Sequence, residues 1–149
     1  MRELILAYLH YFSLFAAFSL LVAELIVLQL PPQPGRWRFM SRLDVGYFVA
    51  AIGVLATGLA RVFLGLKPAL YYWHDTYFHA LWITYLIIGL LSIVPTVSFI
   101  RWAKAEHAAA GFAPPVPALQ HVRGHIAFEL LLFCIAPFFA ILMARGYGA

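Results

Sequence analysis

The sequence predicts an all-α integral membrane protein, an up-down bundle of four helices that cross the bilayer. Three observations carry that expectation. The residue types AVILMFWYC make up 64% of the 149 residues, and charged residues only 11%, where a soluble domain carries about 25%. Mean hydropathy is +0.89. Four apolar stretches each reach the roughly 20 residues that a spanning helix needs, and proline or glycine separates them. So few charges cannot cover a water-soluble surface, which excludes a cytosolic enzyme, a disordered chain and a nucleic-acid binder. The formal net charge of +4 fits membrane topology better than phosphate binding. Cys134 is a lone cysteine, so a disulfide framework and a cysteine metal site are excluded.

The first span runs from about Leu4 to Leu30, and Pro31, Pro32, Pro34 and Gly35 stop it. It is too long for the apolar core of a signal peptide, and Glu24 lies inside it, so it reads as a retained helix. The second runs from Leu43 to Leu66 and ends at Lys67 and Pro68. The third covers Tyr77 to Ile100; Gly111, Pro114, Pro115 and Pro117 fill the loop after it. The fourth covers Val122 to Ala144, so residues 1–149 form one transmembrane domain. Pro95 and Pro137 fall inside spans, where neighbouring groups satisfy the freed carbonyls. No period-two alternation suggests a β-barrel.

Orientation follows from the cations. Arg36, Arg38, Arg42, Arg101, Lys104 and Arg123 flank the first and third loops, against Arg2, Lys67 and Arg145 at the other side, with Arg61 near that face. The bias puts those loops in the cytoplasm and both termini on the non-cytoplasmic side.

Ionisable groups inside a bilayer are costly and are functional candidates by default. Each span has a stripe at helical spacing: His10, Leu14, Ala17, Leu21, Glu24; Gly46, Ala50, Gly53, Thr57, Arg61; His79, Trp82, Leu86, Gly89, Ile93; and His125, Glu129, Leu132, Ala136, Phe139, Met143. All are expected to face the interior. At 1.5 Å per residue, His10, Arg61 and His79 fall roughly 10–15 Å from the centre toward the outer face. Glu24, Asp44, His125, Glu129 and Arg101 fall about 9–18 Å toward the cytoplasm. Two polar layers therefore flank an apolar middle.

In the outer layer, His10 and His79 stand on diagonal helices and can supply both axial nitrogens of one haem iron. Arg61 could pair with a propionate. The alternatives are packing histidines bonded across helices, or a two-histidine copper or zinc site. In the inner layer, Glu24 and Glu129 could share a proton or form a relay. Pairing with Arg42, Arg101 or Arg123, which would pin the cytoplasmic helix ends, is favoured because the apolar middle leaves no polar path. Tyr71, Tyr72, Trp73 and Trp102 suit an interfacial aromatic belt. His74, His107 and His121 read as solvated loop residues.

The strings AYLHYF, RLDVGY, TGLARVF, YYWHDTYFHA, LLSIVPTVSFIRW and ELLLFCIAPFFAILMARG resemble a bacterial family of small predicted membrane proteins of unknown function. The chain is also distantly similar to HemJ-type protoporphyrinogen oxidases and CopD-like membrane proteins, which are four-helix modules. His10 and His79 look like the two histidines of the HemJ type, whereas Leu81 stands where that type has a lysine. The resemblance implies haem b and redox chemistry linked to quinone or oxygen. The leading expectation is thus a multi-pass protein of the bacterial inner membrane that binds b-type haem between its first and third spans. It would transfer electrons, or oxidise a quinone or porphyrin as an oxidoreductase. Two alternatives stand beside it. One is an accessory subunit or scaffold without cofactor, working as a homo-oligomer or in a larger membrane complex. The other is a proton or ion carrier through Glu24 and Glu129.

Overall fold

The computed structural model describes residues 1–65, 67–109 and 111–148. Among them run five helices: α1 (Arg2–Val27), α2 (Arg36–Leu64), α3 (Ala69–His74), α4 (Thr76–Ala108) and α5 (Val116–Ala144). Four of these, α1, α2, α4 and α5, are long and apolar enough to cross a membrane. The expected end of the second span, Leu66, lies outside the described residues. Helices α2 and α5 start several residues before the apolar stretches do. Counting apolar residues finds the bilayer core, whereas backbone hydrogen bonding carries a helix on into the polar interface. The short α3 occupies the loop before the third span.

Each long helix abuts two others around the ring α1–α2–α4–α5. The α1–α2 and α4–α5 contacts are the broadest and α1–α5 the thinnest. Helices α1 and α4 are therefore diagonal, as the up-down reading requires. We call the end with both chain termini the terminal end, and the opposite one the loop end.

Small residues bring α1 and α2 together. A Cβ at Gly53 would sit 2.8 Å from Ser13 Oγ, and one at Gly58 would sit 3.3 Å from His10 Cε1. Large apolar side chains such as Phe12, Phe48, Leu86 and Phe138 are about 60% exposed, as expected where lipid takes the place of water. Inside, packing is uneven. The buried core gathers toward the loop end around Trp37, Met40, Phe99, Trp102, Val122 and Ile126. Trp37 and Trp102 meet edge-on at 4.8 Å, and Phe99 meets Trp102 at 6.0 Å.

Arg36 does more than set topology. Its guanidinium donates to Val27 O (2.7 Å) and Leu30 O (3.0 Å) and lies over the Trp37 ring. It thus caps the end of α1, closing the open carbonyl of Leu30 and sharing that of Val27 with the Leu30 N–H. Arg36→Ala is expected to cost about 1.5–3 kcal/mol, the range for hydrogen bonds from a charged group. Arg36→Lys should recover only part, because an ammonium cannot reproduce the planar fork. Reversible unfolding in mixed detergent checks both. At the other end, Asp75 caps α4 by accepting from Tyr77 N (2.8 Å) and Phe78 N (3.2 Å). Thr76 N donates to Gly148 O, which seats the chain's last described residues on that cap.

Candidate functional site

The terminal-end half contains a cavity of about 180 Å³. All four spanning helices line it: α1 with His10 and Leu14, α2 with Val54 and Gly58, α4 with Leu81 and Tyr85, α5 with Ala136 and Ala140. Tyr72 of α3 also reaches the lining. The walls are mainly apolar. Tyr11, Leu55 and Trp82 line the cavity and are also 54%, 36% and 36% exposed, so it opens toward the surface that the bilayer covers.

His10 is the polar feature whose state the geometry defines. Its Nδ1 lies 3.0 Å from Thr57 Oγ1. Thr57 directs its hydroxyl toward the carbonyls of Gly53 and Val54, one helical turn back. A hydroxyl has one proton, and the backbone takes it. Thr57 must therefore accept from His10 Nδ1–H. The neutral imidazole is left with Nε2 as an acceptor, on a ring that forms part of the cavity wall. Sequence reading placed Thr57 on the inward stripe of α2 and missed its role; the pairing depends on the α1–α2 register, which Gly53 and Gly58 permit.

Arg61 lines the cavity too, but its Nε donates to Glu3 Oε1 at 3.1 Å. Glu3 was not among the expected site residues.

His79 is not brought to His10. Its ring is exposed beside Trp73 (6.4 Å), with Nδ1 2.9 Å from Asp75 O. Helix α4 turns Phe78, Leu81, Tyr85 and Ile88 to the cavity. The stripe through His79, Leu86, Gly89 and Ile93 is rotated from that face by one residue, about 100°, and Trp82 alone of it touches the rim. The expected haem slot between two imidazoles thus has one imidazole in the cavity and one outside. Its volume is close to the ~150 Å³ of an apolar cavity that holds benzene, far short of a porphyrin. The residues present do not fit a haem ligated by both histidines. The two-histidine copper or zinc alternative is split in the same way, and no group of three or more metal-ligating side chains gathers among the described residues.

The loop-end layer is real, but its partners differ from those expected. Glu24, Asp44 and Glu129 are buried, with exposures of 0%, 4% and 0%. Arg42, Arg101 and Arg123 are exposed, and the one ion pair among the described residues is Arg61–Glu3. The favoured arginine pairing is therefore corrected: depth puts the charges in one layer, but the long arginine side chains extend outward to the interface. The partners that do appear are hydroxyls. Tyr47 donates to Glu129 Oε2 (3.1 Å) and Thr96 to Asp44 Oδ1 (3.0 Å). His125 is half-buried, its Nδ1 3.0 Å from His121 O.

No curated protein and no solved structure matches the chain. A family model does, across nearly all of it. With four spanning helices, and with residues 2–148 matching the model of the predicted membrane proteins DUF2214, the chain belongs to that family.

Proposed function

We propose that the terminal-end cavity binds the hydroxylated ring of a membrane-soluble molecule, a quinol being the chemically nearest example. The observation that carries this is the 3.0 Å contact of His10 Nδ1 with a Thr57 hydroxyl already directed at its own helix's carbonyls. With Nδ1–H committed to Thr57, the imidazole can accept a hydrogen bond through Nε2 but, while neutral, cannot donate one there. It therefore favours a ring bearing O–H over the corresponding quinone, whose carbonyls only accept. The surrounding walls suit the apolar remainder of one ring, with few polar groups to fix its orientation. The opening past Tyr11, Leu55 and Trp82 suits an apolar tail lying in lipid. The loop arginines favour a cavity on the non-cytoplasmic side of a bacterial inner membrane. The proposal is one of recognition, and these residues supply no electron acceptor.

Trp82 at the rim provides the readout. Titrating the purified protein in micelles with a decyl-substituted hydroquinone is expected to quench Trp82 saturably, with Trp82→Phe as the control. His10→Leu should weaken binding about tenfold, the equivalent of one hydrogen bond near 1.4 kcal/mol. The dimethyl ether of the same hydroquinone should bind more weakly by the same factor. Equal affinity for quinol, quinone and dimethyl ether would sink the reading. So would a Soret band in the purified protein that His10→Leu removes, which would assign haem to His10 alone.

A further inference from the structure

The loop-end half holds a second polar centre that ring binding does not use. Glu24 comes from α1, Asp44 from α2 and Glu129 from α5. Both carboxyl oxygens of Glu24, and Oε1 of Glu129, are buried without a hydrogen-bond partner. Asp44 and Tyr47 stand three residues apart on one face of α2, so the Tyr47–Glu129 hydrogen bond brings the Glu129 carboxyl to the Asp44 side of the bundle. The polar groups facing the cluster from the packed helices are Tyr47 of α2 and Thr96 of α4, both neutral hydroxyls. Arg36, the buried arginine of this half, has its terminal nitrogens on the carbonyls of Val27 and Leu30. No ion pair to any of the three carboxyls occurs among the described residues.

An ionised carboxylate here would be shut off from bulk solvent without an ion-pair partner among the described residues, and three together would repel one another. Protonation resolves both problems. A carboxylic acid is uncharged, and its O–H gives a donor to a centre otherwise rich in acceptors. The absence of any metal-ligating group of three or more among the described residues favours the proton over a larger cation. We propose that Glu24, Asp44 and Glu129 form a proton-binding site within the membrane, with Glu24 present as an uncharged carboxylic acid in the folded protein. Its ligand is the proton, and it is independent of the ring-binding cavity.

Dicyclohexylcarbodiimide tests this, because it requires an acid. The carboxyl oxygen bonds to the central carbon of the reagent while the acid's proton passes to nitrogen, an addition that an ionised carboxylate cannot complete alone. The full chain in lipid vesicles near neutral pH is expected to acquire the adduct on Glu24, mapped by mass spectrometry. Labelling should fall as pH rises, persist in sodium salt and vanish in Glu24→Gln. An infrared spectrum of the unaltered chain should show an acid C=O band that shifts on exchange into D2O, so the proposal remains testable where Glu24→Gln does not fold. An unlabelled Glu24 overturns it, as does the absence of that band. Protection by sodium at constant pH also overturns it, by assigning a cation site instead.

Discussion

Ala136→Phe is expected to abolish ring binding, lowering affinity by a factor of about 100 or more, equivalent to ~2.7 kcal/mol. Ala136 is 8% exposed and faces the cavity from α5. The substitution adds a phenyl group to a space of about 180 Å³, little more than the ~150 Å³ of an apolar cavity that holds a single benzene. The new ring thus takes the place of the ligand's. Folding should not suffer in proportion, because filling a void restores packing contacts that its walls lack. The Trp82 titration, run beside a thermal unfolding curve, separates these effects. Unchanged affinity would put the ligand elsewhere on the bundle.

Phe99→Ala is expected to have the largest effect on stability and none on the cavity. Phe99 is fully buried at the loop end against Trp102. In a water-soluble core, Phe→Ala costs about 3–5 kcal/mol, part of it for transfer from water. That transfer contribution is small in a bilayer, where lipid tails are as apolar as the core. The packing part remains: at ~24 cal/mol per Å³ over roughly 100 Å³ lost, it comes to about 2–3 kcal/mol. Unfolding in mixed detergent should show the loss, while quinol affinity in the folded fraction stays unchanged. A cost near 5 kcal/mol would mean that the unfolded chain is wet at this site.

Much of this architecture is legible in the residues, for reasons that also explain what is not. Long apolar stretches and proline breaks mark the spans, because the bilayer's thickness imposes a length. The inward faces of α1 and α5 are legible from their carboxyls, since Glu24 and Glu129 could not face lipid at that depth. Helix α4 has no such marker. It is apolar on all sides, and His79 lies near its start, where headgroups and water tolerate an outward imidazole. Its true inward stripe runs through Phe78, Thr84, Ile88, Pro95, Phe99 and Trp102, and only packing against α2 and α5 selects it. The His10–Thr57 pair and the hydroxyl partners of Asp44 and Glu129 depend on cross-helix register, which spacing along one helix does not contain.

The uneven neighbour contacts carry a mechanical consequence. With α1–α2 and α4–α5 the broad interfaces, the chain consists of two hairpins, and the cavity is the space left where they meet. One hairpin brings His10 and Thr57; the other brings Phe133, Ala136 and Ala140. A molecule lodged there touches both and acts as a keystone, making separation of the halves harder by an amount that grows with the logarithm of its concentration above Kd. Ligand binding and the cohesion of the two hairpins are therefore linked: whatever strengthens one strengthens the other.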